Sequence, residues 1–563
     1  MAKLKSCAKF VFLAGLFFLL SAASCANAAN VGDIVNFNVD KNFDASARTQ
    51  VPSTLVKVGP KLHFYIEKTW WDSQTQIRQA QIVSDLEGLS AEFDSKIYPT
   101  ITSSFGYEWS PGIDRDNKIT ILFESMNSSE GGYFREADEY EKLQLPDSNQ
   151  REMLYLSTSM IGDSRVKAVL GHELMHLITF NQKNKIYGVE EDTWLNEARA
   201  DYVSTILGYD DIYIGSNLRS RVNDFIENPS DSITDWQGTK YDYASVSLFT
   251  NYLIDHYGLN ILSDSLRSKS IGIQSINEAL LRGGNREDFA RVFTNWTIAL
   301  AINDCSQNKN YCYINKNLAS LRISPTLIFL PLMGSSSLSA TNVTKNWAGN
   351  WQKIIGGTGD LKLYFSGLAG LSFRVPYIIY NKENSYSVNY FGLDQSEKGE
   401  IDIKDFGTKY NSLIVIPSLQ SKASGFDEPD LIYPYSIKVS ITGKDSQIED
   451  QATIERLLAQ IESLKKQIAA IIAKGQGNSG NQNNSCSQIA SNLSVGMTGN
   501  QVSCLQTFLK NQGVDIYPSG LITGNFGNLT KTAVIKFQEK YSIPKTGYVG
   551  ILTRTKINQL LNG

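Results

Sequence analysis

The sequence HELMH at residues 172–176 restricts the possible fold and chemistry of this chain more than any other feature. It lies in an apolar pattern of helical spacing that runs from about residue 164 to residue 184. Because His172 and His176 are four positions apart, both imidazoles project from one helix face and can bind one Zn²⁺ from adjacent turns. Glu173 then lies beside the open coordination position, where it can act as a general base. With only four histidines in 563 residues, such a pentapeptide arises by chance in roughly 0.1–0.2% of chains of this composition, so a helix with two solvated histidines is a weak alternative.

A zinc site of this kind needs a third protein ligand. The candidate is Glu197, which lies in a second amphipathic helical run at residues 193–201. Asp201 lies one helical turn further along the same face and is a candidate acceptor for the second ring N–H of a ligand histidine. A solvated helix carboxylate is the ordinary alternative for Asp201. Glu190 and Glu191 are competing third ligands, but they precede this helix and lack an acidic partner one turn on.

These residues resemble the active-site pattern of a known group of zinc metallopeptidases. The HELMH motif followed by Asn196-Glu197-x-x-x-Asp201 is similar to the gluzincin pattern, in which two histidines and a downstream glutamate bind zinc. Ala200 stands where that pattern usually has serine. The third ligand that the resemblance implies is therefore the same Glu197 that the helical spacing favours.

The wider sequence resembles the hyicolysin-like secreted neutral metallopeptidases. In that family a segment like SPGIDRD at 110–116 is followed by one like GGYF at 131–134, then by the histidine motif and by a run like WLNE at 194–197. All of these occur here in the same order, and the resemblance covers roughly residues 60–300. Ala198 is one departure, because the family more often has glycine at that position.

The resemblance implies an α+β zincin-type metallopeptidase domain over residues 29–310 that uses Zn²⁺ to hydrolyse peptide bonds in a protein or peptide substrate. Its catalytic base is then Glu173, and its zinc ligands are His172, His176 and Glu197. Gluzincins also use a tyrosine or histidine that donates a hydrogen bond to the developing oxyanion. The sequence leaves four candidates for that role open, namely Tyr187, Tyr241, Tyr243 and His256.

The pattern of apolar residues changes at about residue 325. Short alternating runs separated by Gly, Asp and Asn turns predict an all-β sandwich at residues 325–442. Residues 447–474 are predicted to form a short coiled-coil helix, because apolar residues recur at positions 454, 457, 461, 464, 468 and 471. That stripe predicts either a homodimer or a helix that packs against its own chain or acts as a spacer, since helices this short are marginal alone. Residues 475–485, which are rich in Gly and Asn, are predicted to be a flexible linker.

The C-terminal segment, residues 486–563, is a small basic unit. It contains six lysines and one arginine against Asp515 and Glu539, which gives a net charge of +5 and favours an anionic partner surface. It resembles a peptidoglycan-binding-like three-helix domain over essentially its whole length. That resemblance implies a small α-helical fold and binding of cell-wall peptidoglycan, although domains of this shape also serve as protein-interaction or pro-segment modules. The matching positions are Gly499, Val502, Leu505, Gln506, Gly524, Phe526, Gly527, Thr530, Ala533, Val534, Phe537 and Gln538.

The N-terminus has the pattern of an export signal. Three lysines flank the start of an apolar run at residues 10–20, and Ala26-Asn27-Ala28 is a small-residue cleavage site, so residues 1–28 are predicted to be a signal peptide. A lipoprotein signal that ends at Cys25 is the alternative. The apolar run is too short to span a bilayer comfortably, and no other apolar stretch is long and uninterrupted enough for a membrane helix. The sequence therefore predicts a secreted or cell-envelope protein with no membrane span in the mature chain.

Four cysteines follow the predicted signal peptide, and they fall into two local pairs. Because exported proteins meet an oxidising environment, we expect disulfides between Cys305 and Cys312 and between Cys486 and Cys504. Free thiols are the alternative, since pairing cannot be established from sequence alone.

Charge and motifs together favour one class of function. The formal charge of −4 lacks the basic excess that is typical of nucleic-acid-binding proteins, so we expect no nucleic-acid partner. The sequence predicts a zinc-dependent endopeptidase that hydrolyses proteins and is held at the cell wall by its C-terminal segment. The alternatives are a peptidase that cleaves peptidoglycan cross-links and a non-catalytic envelope-binding protein.

Overall fold

The computed structural model describes residues 29–127, 131–332, 334–426, 430–443, 488–495, 497–518, 520 and 522–562. The chain divides into two compact units, Met1–Asp445 and Ser446–Gly563. The predicted signal peptide, coiled coil and linker all lie outside the described residues, and so does Cys486. Among the residues that are described, no helix is both long and apolar enough to cross a membrane.

A six-stranded sheet begins the first unit. Its strands are β1 (Ile34–Asn38), β2 (Gln50–Val58), β3 (Leu62–Glu67), β4 (Ile119–Glu124), β5 (Gly132–Phe134) and β6 (Met153–Ser157), in the order β1-β2-β3-β4-β6-β5. β3, β4 and β6 are parallel neighbours, and every residue in them is buried. Short apolar strands of this kind are expected where both faces of a sheet are covered. β5 pairs antiparallel with β6 and forms one edge of the sheet.

Ten α-helices of the first unit are described. They are α1 (Lys68–Asp72), α2 (Gln76–Glu92), α3 (Tyr98–Phe105), α4 (Val166–Phe180), α5 (Thr193–Ile206), α6 (Asn217–Glu227), α7 (Lys240–Tyr257), α8 (Asn260–Leu266), α9 (Gly272–Arg282) and α10 (Phe289–Ile302). α4 packs on β5 and β6 and on α5, and α7 packs on α5 and α6. The mixture of sheet and helices agrees with the α+β expectation, and the zincin-type assignment stays a prediction.

Residues 326–442, called the β-domain below, have an all-β fold that confirms the prediction of β-structure here. A nine-stranded sheet has the path β13-β12-β15-β14-β10-β17-β8, and β9 joins it through β15 and also pairs with β7. β11 and β16 form a separate two-stranded ribbon. The strands are β7 (Thr326–Leu330), β8 (Ser336–Thr344), β9 (Gln352–Gly356), β10 (Gly359–Ser366), β11 (Phe373–Arg374), β12 (Pro376–Asn381), β13 (Tyr386–Tyr390), β14 (Lys398–Phe406), β15 (Tyr410–Val415), β16 (Ser418–Leu419) and β17 (Tyr433–Thr442).

The β-domain and the helices share one hydrophobic core. Trp347 and Trp351 of the β-domain are buried in the same apolar cluster as the helical residues of the first unit. The Trp347 ring lies 4.9 Å from the ring of Phe289 and 5.5 Å from that of Phe293, both on α10. The Trp351 Nε1–H donates a 2.9 Å hydrogen bond to the carbonyl of Thr297 on the same helix. The β-domain is therefore part of the compact unit that contains the HELMH helix.

Three helices are described in the C-terminal unit, namely α11 (Asn500–Asn511), α12 (Asn528–Lys540) and α13 (Ile551–Asn562). Two buried glutamines link turns to these helices through the same pattern of hydrogen bonds. The side chain of Gln506 accepts a hydrogen bond from the Gly524 N–H (2.9 Å) and donates one to the Asn525 carbonyl (2.9 Å). Gln538 accepts from the Gly547 N–H (2.9 Å) and donates to the carbonyl of the next residue (2.8 Å). Satisfying both ends of a buried amide explains why glutamine occupies these positions.

The structure describes three of the four cysteines that follow the predicted signal peptide. Cys305 and Cys312 form a disulfide with a Cα–Cα distance of 5.2 Å. Cys504 is also disulfide-bonded, and its predicted partner is the undescribed Cys486. The pairing between these last two residues therefore stays a prediction.

Replacing Trp347 with alanine tests whether the β-domain and the helices form one cooperative unit. We expect the free energy of unfolding to fall by about 3–5 kcal/mol, because the substitution opens a cavity in the shared core. All eight tryptophans lie in the first unit, so tryptophan fluorescence during urea unfolding follows that unit alone. As the control, Leu338→Ala removes a side chain that is 42% exposed, and it should change stability by less than about 0.5 kcal/mol. Two separate fluorescence transitions would contradict the shared core.

Candidate metal centre

The structure brings together the three residues that the sequence predicts as zinc ligands. The Nε2 atoms of His172 and His176 lie 3.1 Å apart. The Oε2 atom of Glu197 lies 3.3 Å from His172 Nε2 and 3.7 Å from His176 Nε2. Within the described parts of the chain, this is the only group of three or more His, Cys, Asp or Glu side chains whose ligand atoms lie within 4.8 Å of one another.

The packing of α4 against α5 creates this arrangement. His172 and His176 project from α4, and Glu197 projects from α5. Gly171 immediately precedes the first histidine, and a Cβ atom there would lie 2.9 Å from Val203 Cγ1 and 3.1 Å from Leu207 Cδ1. A larger residue at position 171 would therefore require the side chains of Val203 and Leu207 to shift. Glycine allows the two helices to approach closely enough for Glu197 to reach the imidazoles.

The cluster fits a zinc ion chemically. Two imidazole nitrogens and one carboxylate oxygen are a preferred zinc donor set, with room for a further ligand at a catalytic site. The Glu197 Oε2 atom is buried and has no well-aligned hydrogen-bond donor. Such an orphaned acceptor is costly in a folded protein unless a cation or a proton compensates its charge.

In the metal-free protein, a protonated histidine compensates the negative charge of Glu197. Burial lowers the pKa of His172, but the adjacent Glu197 carboxylate and the negative charges of Glu173 and Asp201 outweigh burial and raise the pKa to about 9. Burial lowers the pKa of His176, and the proximity of His172 adds to that effect. One imidazolium therefore neutralises Glu197 at pH 7, and a bound metal ion would take its place.

Asn196 orients His176, a role that the sequence reasoning missed. The Asn196 Oδ1 atom lies 3.1 Å from His176 Nδ1. An acceptor at Nδ1 places the ring proton there and leaves the Nε2 lone pair directed toward the cluster. Asn196 immediately precedes Glu197 in the pattern that resembles the gluzincins, so the sequence did contain a signal for this residue.

Asp201 contacts α6. Its Oδ1 atom accepts hydrogen bonds from Arg221 Nη2 (2.8 Å) and Asn217 Nδ2 (3.0 Å). Asp201 still contributes to the raised pKa of His172 through its charge. The hydrogen bonds found for Asp201 are therefore different from the bond to a ligand histidine that the sequence predicted.

The competing third ligands lie elsewhere. Glu191 is buried, and its Oε2 atom forms ion pairs with Arg199 (2.9 Å) and Lys183 (3.3 Å). Glu190 is exposed to solvent. The structure therefore separates both residues from the cluster that contains Glu197.

Of the four candidates for oxyanion stabilisation, Tyr243 interacts electrostatically with Glu197 and Glu173. Burial raises the pKa of Tyr243 well above its usual value, and the charges of Glu197 and Glu173 raise it further, so the phenol keeps its proton. The other three candidates have partners elsewhere: Tyr187 donates to the carbonyl of Arg267 (3.1 Å), Tyr241 donates to Glu227 (3.3 Å), and His256 Nε2 lies 2.9 Å from the carbonyl of Cys312.

Comparisons with known proteins identify the C-terminal unit. Residues 498–557 match the family described as "Putative peptidoglycan binding domain". The second unit therefore contains a peptidoglycan-binding domain. This result confirms the fold predicted for this segment, and it supports association with the cell wall and a secreted or envelope location. No curated protein matches the sequence.

Solved structures match parts of the chain with low TM-scores. The SleB N-terminal domain is 31% identical, with 13% of this chain and 93% of that chain covered and a TM-score of 0.12. PliG of Aeromonas hydrophila, a periplasmic inhibitor of g-type lysozyme, is 9% identical, with coverages of 21% and 100% and a TM-score of 0.14. The pre-peptidase C-terminal domain of a Bacillus anthracis collagenase is 8% identical, with coverages of 21% and 96% and a TM-score of 0.14. The family assignment accordingly rests on residues 498–557 alone.

The cluster predicts one zinc ion per chain and release of protons when the ion binds. Because His172 carries a proton in the metal-free protein, zinc binding at pH 7.5 is expected to release about one proton. Calorimetric titrations in buffers of different ionisation enthalpy measure that release, and elemental analysis measures the stoichiometry.

Asn196→Ala isolates the contribution of histidine orientation to zinc affinity. Removing this acceptor should weaken zinc binding by about 10–100-fold without removing a ligand. His256→Gln is the matched control, because His256 lies outside the cluster, and it should leave the affinity unchanged. Equal zinc affinity in Asn196→Ala and the wild type would show that Asn196 does not orient a ligand.

Proposed function

We propose that the Met1–Asp445 unit is a zinc-dependent endopeptidase that hydrolyses peptide bonds in proteins. The observation that carries this proposal is the convergence of His172 Nε2, His176 Nε2 and Glu197 Oε2, with Glu173 next to the first histidine on α4. This set would hold the ion, which when bound supplies Lewis acidity to a carbonyl and to a water molecule.

The protein's own groups account for the proton transfers. Glu173 is buried beside the cluster, and it accepts a proton from the attacking water and later delivers it to the leaving amine. Tyr243 keeps its phenolic proton at neutral pH, so it can donate a hydrogen bond to the oxygen on which negative charge develops. Asn196 keeps the Nε2 atom of His176 available to the metal.

The sheet edge favours an extended polypeptide as the substrate. β5 is the last strand in the described sheet order, and it packs against α4. Because only β6 pairs with it among the described strands, backbone groups along its other edge can bind an added strand of substrate. Such backbone pairing recognises proteins of many sequences, which suits an endopeptidase.

The peptidoglycan-binding domain suggests where the enzyme acts. The C-terminal segment from residue 486 carries a net charge of +5, and the matched family supports binding to the wall polymer. We propose that this unit attaches the peptidase to the cell wall. The same domain also favours a second candidate function, hydrolysis of peptidoglycan cross-links.

Glu173→Gln separates these functions. The variant keeps the size of the side chain but cannot accept a proton, so casein hydrolysis should fall by about 10²–10⁴-fold, while the zinc content stays at one per chain. Glu190→Gln is the matched control, because Glu190 is exposed and lies outside the cluster. Casein hydrolysis that survives Glu173→Gln would reject the mechanism. Release of cross-linked stem peptides that is lost in Glu173→Gln, without any proteolysis by the wild type, would favour the second function.

Tyr243→Phe tests the oxyanion donor. The phenol contributes only when charge develops, so the substitution should lower kcat by about 10²–10³-fold and leave KM within about twofold. Tyr241→Phe is the control, because its hydroxyl bonds Glu227 and it should keep full activity. A wild-type kcat in Tyr243→Phe would remove Tyr243 from the mechanism.

A further inference from the structure

The loop between α6 and α7, residues 228–239, carries an aromatic side chain to Tyr243. The ring of Trp236 lies 4.8 Å from the ring of Tyr243, at an interplanar angle of 76°. Arg221 contacts the same tyrosine ring at 4.7 Å while it hydrogen-bonds Asp201. The orientation of Tyr243 therefore depends on Trp236 as well as on Arg221, because edge-to-face aromatic contacts have a preferred geometry.

Residues of the β-domain and the segments beside its strands hold this loop. Lys345 forms an ion pair with the Oδ2 atom of Asp235, the residue before Trp236. The backbone N–H of Asp430 donates a 2.9 Å hydrogen bond to the Oδ1 atom of the same carboxylate. The backbone N–H of Ile233 donates a 3.1 Å bond to the carbonyl of Trp347. Each of the two carboxylate oxygens of Asp235 thus binds the β-domain, and the backbone of Ile233 makes a third contact with it.

One partner of this ion pair is almost fully buried. The Asp235 side chain is 1% exposed, and the Lys345 side chain is 29% exposed. Burial raises the pKa of Asp235, but the hydrogen bonds from Lys345 and from the Asp430 backbone outweigh it, so the pKa is lowered and the carboxylate stays charged. Removing the lysine would leave a buried charge without its partner, which costs far more than the loss of an exposed ion pair.

From these contacts we infer that Lys345 is a positioning residue, through which the β-domain fixes Tyr243 at the metal centre by way of Asp235 and Trp236. This inference rests on the proposed function only in giving Tyr243 a catalytic role. It assigns a function to a β-domain whose sequence contains no catalytic motif, and it explains why that domain shares a core with the helices.

Lys345→Met tests the inference in the full-length chain, with Trp236 replaced by 5-fluorotryptophan. We expect the ¹⁹F resonance at position 236 to shift or broaden in both metal-free and zinc-loaded protein, and kcat to fall by about tenfold with KM within about twofold. Zinc should stay at one per chain. Lys345→Arg keeps the ion pair and should restore both the resonance and kcat.

Two further variants control for the loss of a lysine elsewhere in the β-domain and for the unpaired charge that Lys345→Met leaves on Asp235. Lys404→Met is the matched control, because Lys404 forms an exposed ion pair with Asp360 (2.9 Å) elsewhere in the β-domain, and it should leave the resonance and kcat unchanged. The double variant Lys345→Met with Asp235→Asn leaves no orphaned charge, so it should fold even if the single variant does not. It should still displace the resonance of residue 236.

The readouts distinguish failure of this inference from failure of the proposed function. A resonance that stays unchanged in Lys345→Met and in the double variant would overturn the inference, whatever the activity. A fall in kcat that merely follows loss of zinc would also overturn it. If the wild type has no peptidase activity, a displaced resonance in Lys345→Met still supports the structural link, because that measurement requires no turnover.

Discussion

The candidate metal centre depends on the close contact between α4 and α5. At Gly171 the two helices approach so closely that a single added Cβ atom would meet Val203 and Leu207. A buried ionic network also contacts α5, because Glu191 pairs with Arg199 of that helix and with Lys183. Lys183 also donates to the carbonyl of Ser265 (2.8 Å). These contacts place a carboxylate between two imidazoles, an arrangement that would be unfavourable without a proton or a cation to share.

Local spacing predicted part of this site, and tertiary contacts supplied the rest. The four-residue interval between His172 and His176 determines their common face on any helix, and the helical run after residue 193 places Glu197 on a second helix. Nothing local indicates that Asp201 meets Arg221 of α6, that the charges of Glu197 and Glu173 act on Tyr243, or that Tyr241 bonds Glu227 instead. Those pairings depend on how α5, α6 and α7 pack, and a periodic pattern contains no information about that.

The β-domain shows the same limit on a larger scale. Alternating apolar residues predicted its strands, since one face of each strand is buried. The pattern did not show what the buried tryptophans contact, and Trp347 and Trp351 in fact pack on α10. The C-terminal unit was easier to predict, because its glycines and its two buried glutamines perform local tasks in turns that the sequence displays directly.

X-ray absorption at the zinc edge, on protein loaded with one equivalent of zinc, tests whether His172, His176 and Glu197 bind the ion. We predict a four-coordinate ion with two imidazole nitrogens at about 2.0–2.1 Å and oxygen ligands at about 2.0–2.2 Å. The imidazole contribution should disappear in a variant that lacks both His172 and His176. A spectrum with sulfur ligands, or one that this double substitution leaves unchanged, would place the zinc elsewhere and contradict the proposed site.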